Sequence, residues 1–175
     1  MSKTVLTLIL LFLILVPAQA VIFNNLILFN VALPVEFIYL IISLPVTLST
    51  NWSLTIGFVT GLAVDIFSDT PGMNALACTT LAFVRKPVYH LYMSFDDDLT
   101  GLCPSISTMG AAAYFKYLLT MVFIYCFMLF AIEAFQFFNF RLMLMRTIFS
   151  TLFTFIIIYA IDSLSFKRSG ENTTT

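Results

Sequence analysis

Six stretches of this chain, residues 5–23, 34–48, 54–67, 73–84, 114–130 and 143–164, run apolar with no more than two charged residues in any one of them. A segment of about 20 apolar residues matches the hydrocarbon thickness of a bilayer, and in lipid its backbone must satisfy its own hydrogen bonds, which leaves helices as the simplest solution. Composition agrees: 61% of the residues are hydrophobic and 10% are charged, against roughly half and a quarter in soluble domains. The expected fold is therefore an all-α integral membrane protein. It is a single bundle of about six transmembrane helices over residues 1–166, with a short disordered tail at 167–175. Turn-forming clusters fall between the runs, at Asn24-Asn25, Ser49-Thr50-Asn51, Asp69-Thr70-Pro71-Gly72 and residues 96–104. The fourth run is the shortest, and Arg85-Lys86-Pro87 is expected to cut it off as a tilted or half-spanning helix.

The amino-terminal run has two readings. Lys3, the apolar residues that follow and the small triplet Ala18-Gln19-Ala20 imitate a secretory signal with its cleavage site, but the apolar pattern continues through Val21-Ile22-Phe23. An uncleaved first helix is expected. With the amino terminus inside, Lys3, Arg85, Lys86, Lys116, Lys167 and Arg168 gather on the cytoplasmic side and only Arg141 and Arg146 face out, so both termini are expected in the cytoplasm. The loop at 85–106 would then be cytoplasmic and carry Asp96-Asp97-Asp98, read as a solvated loop.

Gly57, Gly61, Asp65 and Asp69 follow one another at four-residue spacing. In a helix such a series shares one broad face, so a neighbouring helix can approach closely at the glycine end and meet carboxylates at the other. Packing within the fold is the expected use of the glycines. Pro71-Gly72 is a turn signal, and Asn74 is placed to cap or to bond across that bend. Charges inside spans are costly and call for partners. Glu36, Asp65, Asp69, Glu133, Arg141 and Arg146 fall in the outer half, Lys116 and Asp162 in the inner half. Two readings stay open: Asp65 pairs with Arg146 or Arg141, or each snorkels to the interface.

Enzyme chemistries find little footing. Gly61-xxx-Asp65-xxx-Asp69 matches half of the metal-binding signature of phosphatidyl-transferring enzymes, but the upstream aspartates and arginine are missing from residues 45–52. His90, the one histidine, is expected in a loop, and no nucleophile elbow or phosphate-cradling loop is present. Cys78, Cys103 and Cys126 lack metal or redox spacing and read as apolar fillers. Phe127, Phe130, Phe135, Phe137 and Phe138 are expected to face lipid or fill the bundle. No cofactor or metal is expected, and a formal net charge of −1 gives nucleic acid no electrostatic purchase. A small bundle of this size also fits a substrate-capture membrane subunit of a vitamin-uptake transporter. That is the alternative reading, although no dense polar set is present to line its cavity.

The segment from Gly57 to Ala77 resembles the rod shape-determining MreD family, in which a membrane helix reads glycine, three residues, glycine, three residues, aspartate, then a proline-glycine turn and a small-residue helix. The wording Asp69-Thr70-Pro71-Gly72-Met73-Asn74-Ala75 is similar to Bacteroides-group members. Pro71 and Gly72 are adjacent here, whereas the family usually has a residue between them. The resemblance implies a non-enzymatic subunit of the wall-elongation complex in the bacterial inner membrane. Its partners would be MreC, a single-span protein with a large periplasmic domain, together with MreB, RodA and a transpeptidase. It implies a fold similar to the vitamin-capture subunits. Gly57, Gly61, Asp65, Pro71 and Gly72 are the matched positions, with roles in helix contact and turn formation; no catalytic residue is carried over.

Overall fold

A computed structural model describes residues 3–19, 34–70, 72–93, 103–134 and 140–171. The described residues are all-helical, with no strand among them. Helix α1 (Lys3–Ala18) leads, and α2 (Ile38–Ile42) follows as a single short turn and a half. Two long neighbours come next, α3 (Thr50–Ser68) and α4 (Met73–Tyr92). The four-residue α5 (Ile106–Met109) then precedes α6 (Ala111–Ala134) and α7 (Phe140–Glu171). Helix α4 packs on both α3 and α6, and α6 packs on α7.

Of these, α6 over Ala111–Glu133 and α7 over Phe140–Ser163 are long and apolar enough to cross a membrane. Their outward faces carry Phe115, Phe123, Phe127, Ile148, Phe149, Leu152 and Ile156. Inward they close the core with Tyr117, Leu118, Met121, Val122, Tyr125 and Ile158. Phe127 is thus exposed and Phe130 buried, while Phe135, Phe137 and Phe138 lie outside the described residues.

The run at 34–48, read from sequence as one span, forms only the five residues of α2 as helix. Pro34 and Pro45 bracket it: each lacks an amide donor, and the residue before a proline is pushed out of the helical region. The fragment sits at the centre of the molecule, where Ile38, Leu40, Ile41 and Ile42 are all buried and Phe37 meets Tyr125 edge to face at 5.8 Å.

Two helices outrun their expected ends. Helix α4 passes through Arg85-Lys86-Pro87 to Tyr92, with Pro87 inside it. The lost bond falls on an outer face, where both Pro87 and Phe83, four residues earlier, are exposed. His90 accordingly lies on the last turn of α4 and not in a loop. Helix α7 continues to Glu171, through most of the stretch expected to be a disordered tail. The Asp96-Asp97-Asp98 run and the end of the first apolar run lie outside the described residues.

Candidate functional site

The glycine-aspartate series assembles one compact device, the α3–α4 hairpin. A methyl group placed on Gly61 would come within 2.5 Å of the Ala75 Cα and of the Asn74 carbonyl oxygen; one on Gly57 would come within 2.9 Å of the Ala82 Cβ and the Cys78 carbonyl. The two backbones therefore touch at Gly61, which only the hydrogen side chain permits. One turn further on, Asp65 is buried where the chain reverses. Asp69 ends α3 in the left-handed conformation with φ 54°, exposed to the outside.

Gly72, with φ 76°, stands at the N-cap position of α4 and has no side chain to offer the helix. Asp65 supplies the cap from the preceding helix. Its Oδ1 accepts the Asn74 backbone N–H at 3.0 Å and its Oδ2 accepts the Ala75 N–H at 2.8 Å. These are the second and third amides of α4, the pair that a local capping side chain would serve. The Thr70 hydroxyl and the Asn74 side-chain amide also donate to Oδ1, the latter at 3.0 Å. Asn74 in turn accepts the Tyr125 hydroxyl from α6 at 2.6 Å, so the network spans three helices. A negative carboxylate at the positive end of a 20-residue helix is stabilised by the helix dipole as well as by its donors.

Of the residues expected to form the site, Gly57, Gly61, Asp65 and Gly72 come together here; Pro71 lies outside the described residues. The ion pair considered for Asp65 is not formed. Arg146 donates instead to Glu133 across the α6–α7 hairpin at 2.6 Å, with both side chains about one-third exposed, and Arg141 sits exposed on the first turn of α7. The reason is local: Asp65 has four donors within ten residues of itself, so it needs no distant cation.

A second polar centre was not foreseen. Arg85, expected at a cytoplasmic loop, is buried with 1% exposure. Its guanidinium donates to the Leu44 carbonyl, to the Pro45 carbonyl at 3.1 Å and to Ser53 Oγ at 3.2 Å. These carbonyls belong to the chain leaving α2, just past its last helical residue, and the Pro45 carbonyl also accepts the Leu48 N–H at 3.2 Å. Arg85 thus acts as a fork that terminates α2, and Tyr117 adds a long bond to the Ile42 carbonyl at 3.4 Å. Asp162 holds α5 and α2 to α7 by accepting the Ile106 N–H at 3.1 Å and the Tyr39 hydroxyl at 3.0 Å. Among the described residues no group of three His, Cys, Asp or Glu side chains is placed to hold a metal ion.

Compared with known proteins, the chain matches no family model, no curated protein and no solved structure.

Proposed function

We propose that this protein is a non-enzymatic, multi-pass subunit of the bacterial inner membrane that serves the cell-wall elongation machinery by binding an MreC-like single-span protein. The observation that carries the reading is the commitment of Asp65. Both of its oxygens serve the first amides of α4, so the one acidic residue of the family-like motif builds a rigid hairpin and is not free to act on a substrate. Gly57, Gly61 and Gly72 serve the same hairpin by close approach and by a left-handed turn. A motif spent wholly on internal architecture suits a scaffold, which works by presenting a fixed surface to its partner.

In this reading the chain threads the bilayer about six times with both termini in the cytoplasm. Five helices of 16 residues or more supply five passes, at 1.5 Å of rise per residue. The segment around α2 supplies the sixth, helical only over Ile38–Ile42, which lipid tolerates because the non-helical residues 34–37 are buried in protein.

The test is co-purification in mild detergent from a cell of origin, with shape recorded after depletion. Recovery of a single-span protein with a large extracytoplasmic domain, together with loss of rod shape, is the expected result. Recovery of ATPase subunits and a defect in vitamin uptake would replace this reading with the transporter alternative.

A further inference from the structure

Four carboxylates stand within the helical body among the described residues, and three are answered by their own chain. Asp65 has its amides and hydroxyl, Asp162 has Tyr39 and the Ile106 N–H, and Glu133 has Arg146. Glu36 differs. It is 2% exposed, and its Oε1 has no hydrogen-bond partner. Burial alone governs its ionisation, with no neighbouring charge of either sign acting on it.

A counter-charge is missing from the nearby sequence as well. The chain just before it, residues 20–33, contains no lysine, arginine or histidine. Elsewhere, Arg146 is bonded to Glu133, Arg85 to the carbonyls past α2, and Arg141 is exposed. The elements that hold the segment bring neutral groups to it. Gln19, just past α1, accepts the Glu36 backbone N–H at 3.1 Å and donates to the Pro34 carbonyl at 3.0 Å. From the other side, Thr154 of α7 accepts the Val35 N–H at 3.0 Å, and Tyr125 of α6 meets Phe37 edge to face. Both gripping side chains, Gln19 and Thr154, are themselves buried. Helix α2, five residues long, is too short for its dipole to stand in for a cation.

An ionised carboxylate shut away from water without a counter-charge is among the costliest arrangements a protein interior can hold, and such a group keeps a proton instead. We propose that Glu36 is a proton-binding site of the folded protein, a neutral acid that lets residues 34–36 lie between Gln19 and Thr154, and that loss of its proton to solvent releases them. The negative charge left behind would draw the segment toward water. The amides then freed are those of Val35 and Glu36, whose acceptors are the two gripping side chains. In the six-span topology Glu36 falls in the outer half of the bilayer, so acidity outside the membrane would set this latch. The proton site itself depends neither on that topology nor on the partner-binding reading.

The test uses the full chain purified in detergent. Infrared absorption at neutral pH shows the carbonyl stretch of a protonated carboxylic acid, and Glu36→Gln removes it. Raising the pH abolishes the band in the wild type. Over the same interval the amides of residues 35 and 36 lose at least about tenfold of their protection from hydrogen exchange, after correction for the pH dependence of intrinsic exchange. Glu36→Gln, nearly isosteric and uncharged, keeps that protection throughout. If Glu36→Gln fails to fold, isotope-labelled glutamate in the wild type supplies the assignment: the band shifts, the other two glutamates being Glu133, bonded to Arg146, and Glu171. A wild type without a protonated-acid band at neutral pH overturns the proposal, and so does a band that the label leaves in place. Protection at residues 35 and 36 that survives loss of the band, or that falls equally in Glu36→Gln, overturns the latch.

Discussion

The Tyr125 hydroxyl of α6 donates to Asn74 Oδ1 on α4 at 2.6 Å, and through Asn74 it steadies the carboxylate that α3 lends to α4. Removing that hydroxyl with Tyr125→Phe leaves a buried amide oxygen unpaired, at a cost of about 1–2 kcal/mol. Asp65→Asn keeps the shape but turns an amide donor or loses an acceptor toward two backbone N–H groups, costing about 2–3 kcal/mol. Because the two residues share one network, the double variant loses less than the sum. A double-mutant cycle by thermal or chemical unfolding in detergent checks this. Full additivity would show that α6 takes no part in the cap.

Alanine at the two glycines separates by position. The Gly61 methyl would meet backbone atoms at 2.5 Å, which can move only if the helices part, whereas the Gly57 methyl would meet the Ala82 side chain and one carbonyl at 2.9 Å. Gly61→Ala is expected to cost about 3 kcal/mol and Gly57→Ala about 1 kcal/mol, within the range for overpacked contacts. Unfolding midpoints compare them directly. Loss of partner binding in Gly61→Leu would then report a spread hairpin, so Gly57→Ala is the better probe of any contact with a partner.

The hairpin was legible in sequence because its parts are local. Gly57, Gly61, Asp65 and Gly72 lie within sixteen residues; helix periodicity sets the common face of the first three, and Gly72 marks the turn that follows. The partners of Asp65 were legible only in part: Asn74 is near in sequence, but Tyr125 is 51 residues from Asn74 and nothing in an apolar helix marks it out. Charge-depth reasoning offered Asp65 only Arg146, Arg141 or the interface because it counted charges and not backbone donors, and the free amides of a helix start compete well with a cation. Arg85 misled for a related reason. Flanked by Lys86 and Pro87 it reads as the end of a helix, yet the Leu44 and Pro45 carbonyls just past α2, 41 and 40 residues away, draw it inward.

Arg85 supports a sharp expectation about α2. Arg85→Ala would leave the Leu44 carbonyl and the Ser53 hydroxyl without this donor and the Pro45 carbonyl with the Leu48 N–H alone, and is expected to destabilise the chain by about 3–5 kcal/mol. Arg85→Lys keeps the charge but not the planar fork that spans two carbonyls, so it should recover only part of the loss. Hydrogen exchange gives the local readout: amides of residues 38–44 lose protection in both variants, more in Arg85→Ala. Unchanged exchange there would show that α2 is held by apolar packing alone.

Charge reversal distinguishes the two arginine partnerships. Arg146 and Glu133 bridge α6 and α7 with both side chains about one-third exposed, so breaking the pair is expected to cost about 0.2–1 kcal/mol when headgroups and water screen it. Glu133→Arg combined with Arg146→Glu should recover most of that small loss. Asp65→Arg should be severely destabilising, since it sets a cation against the positive end of α4 and removes its cap. Adding Arg146→Asp to that variant should recover nothing, because Arg146 bonds to Glu133 and not to Asp65. Expression and melting temperature of the four variants in detergent decide the matter: rescue of Asp65→Arg by Arg146→Asp would restore the direct ion pair and remove the hairpin cap as the role of Asp65.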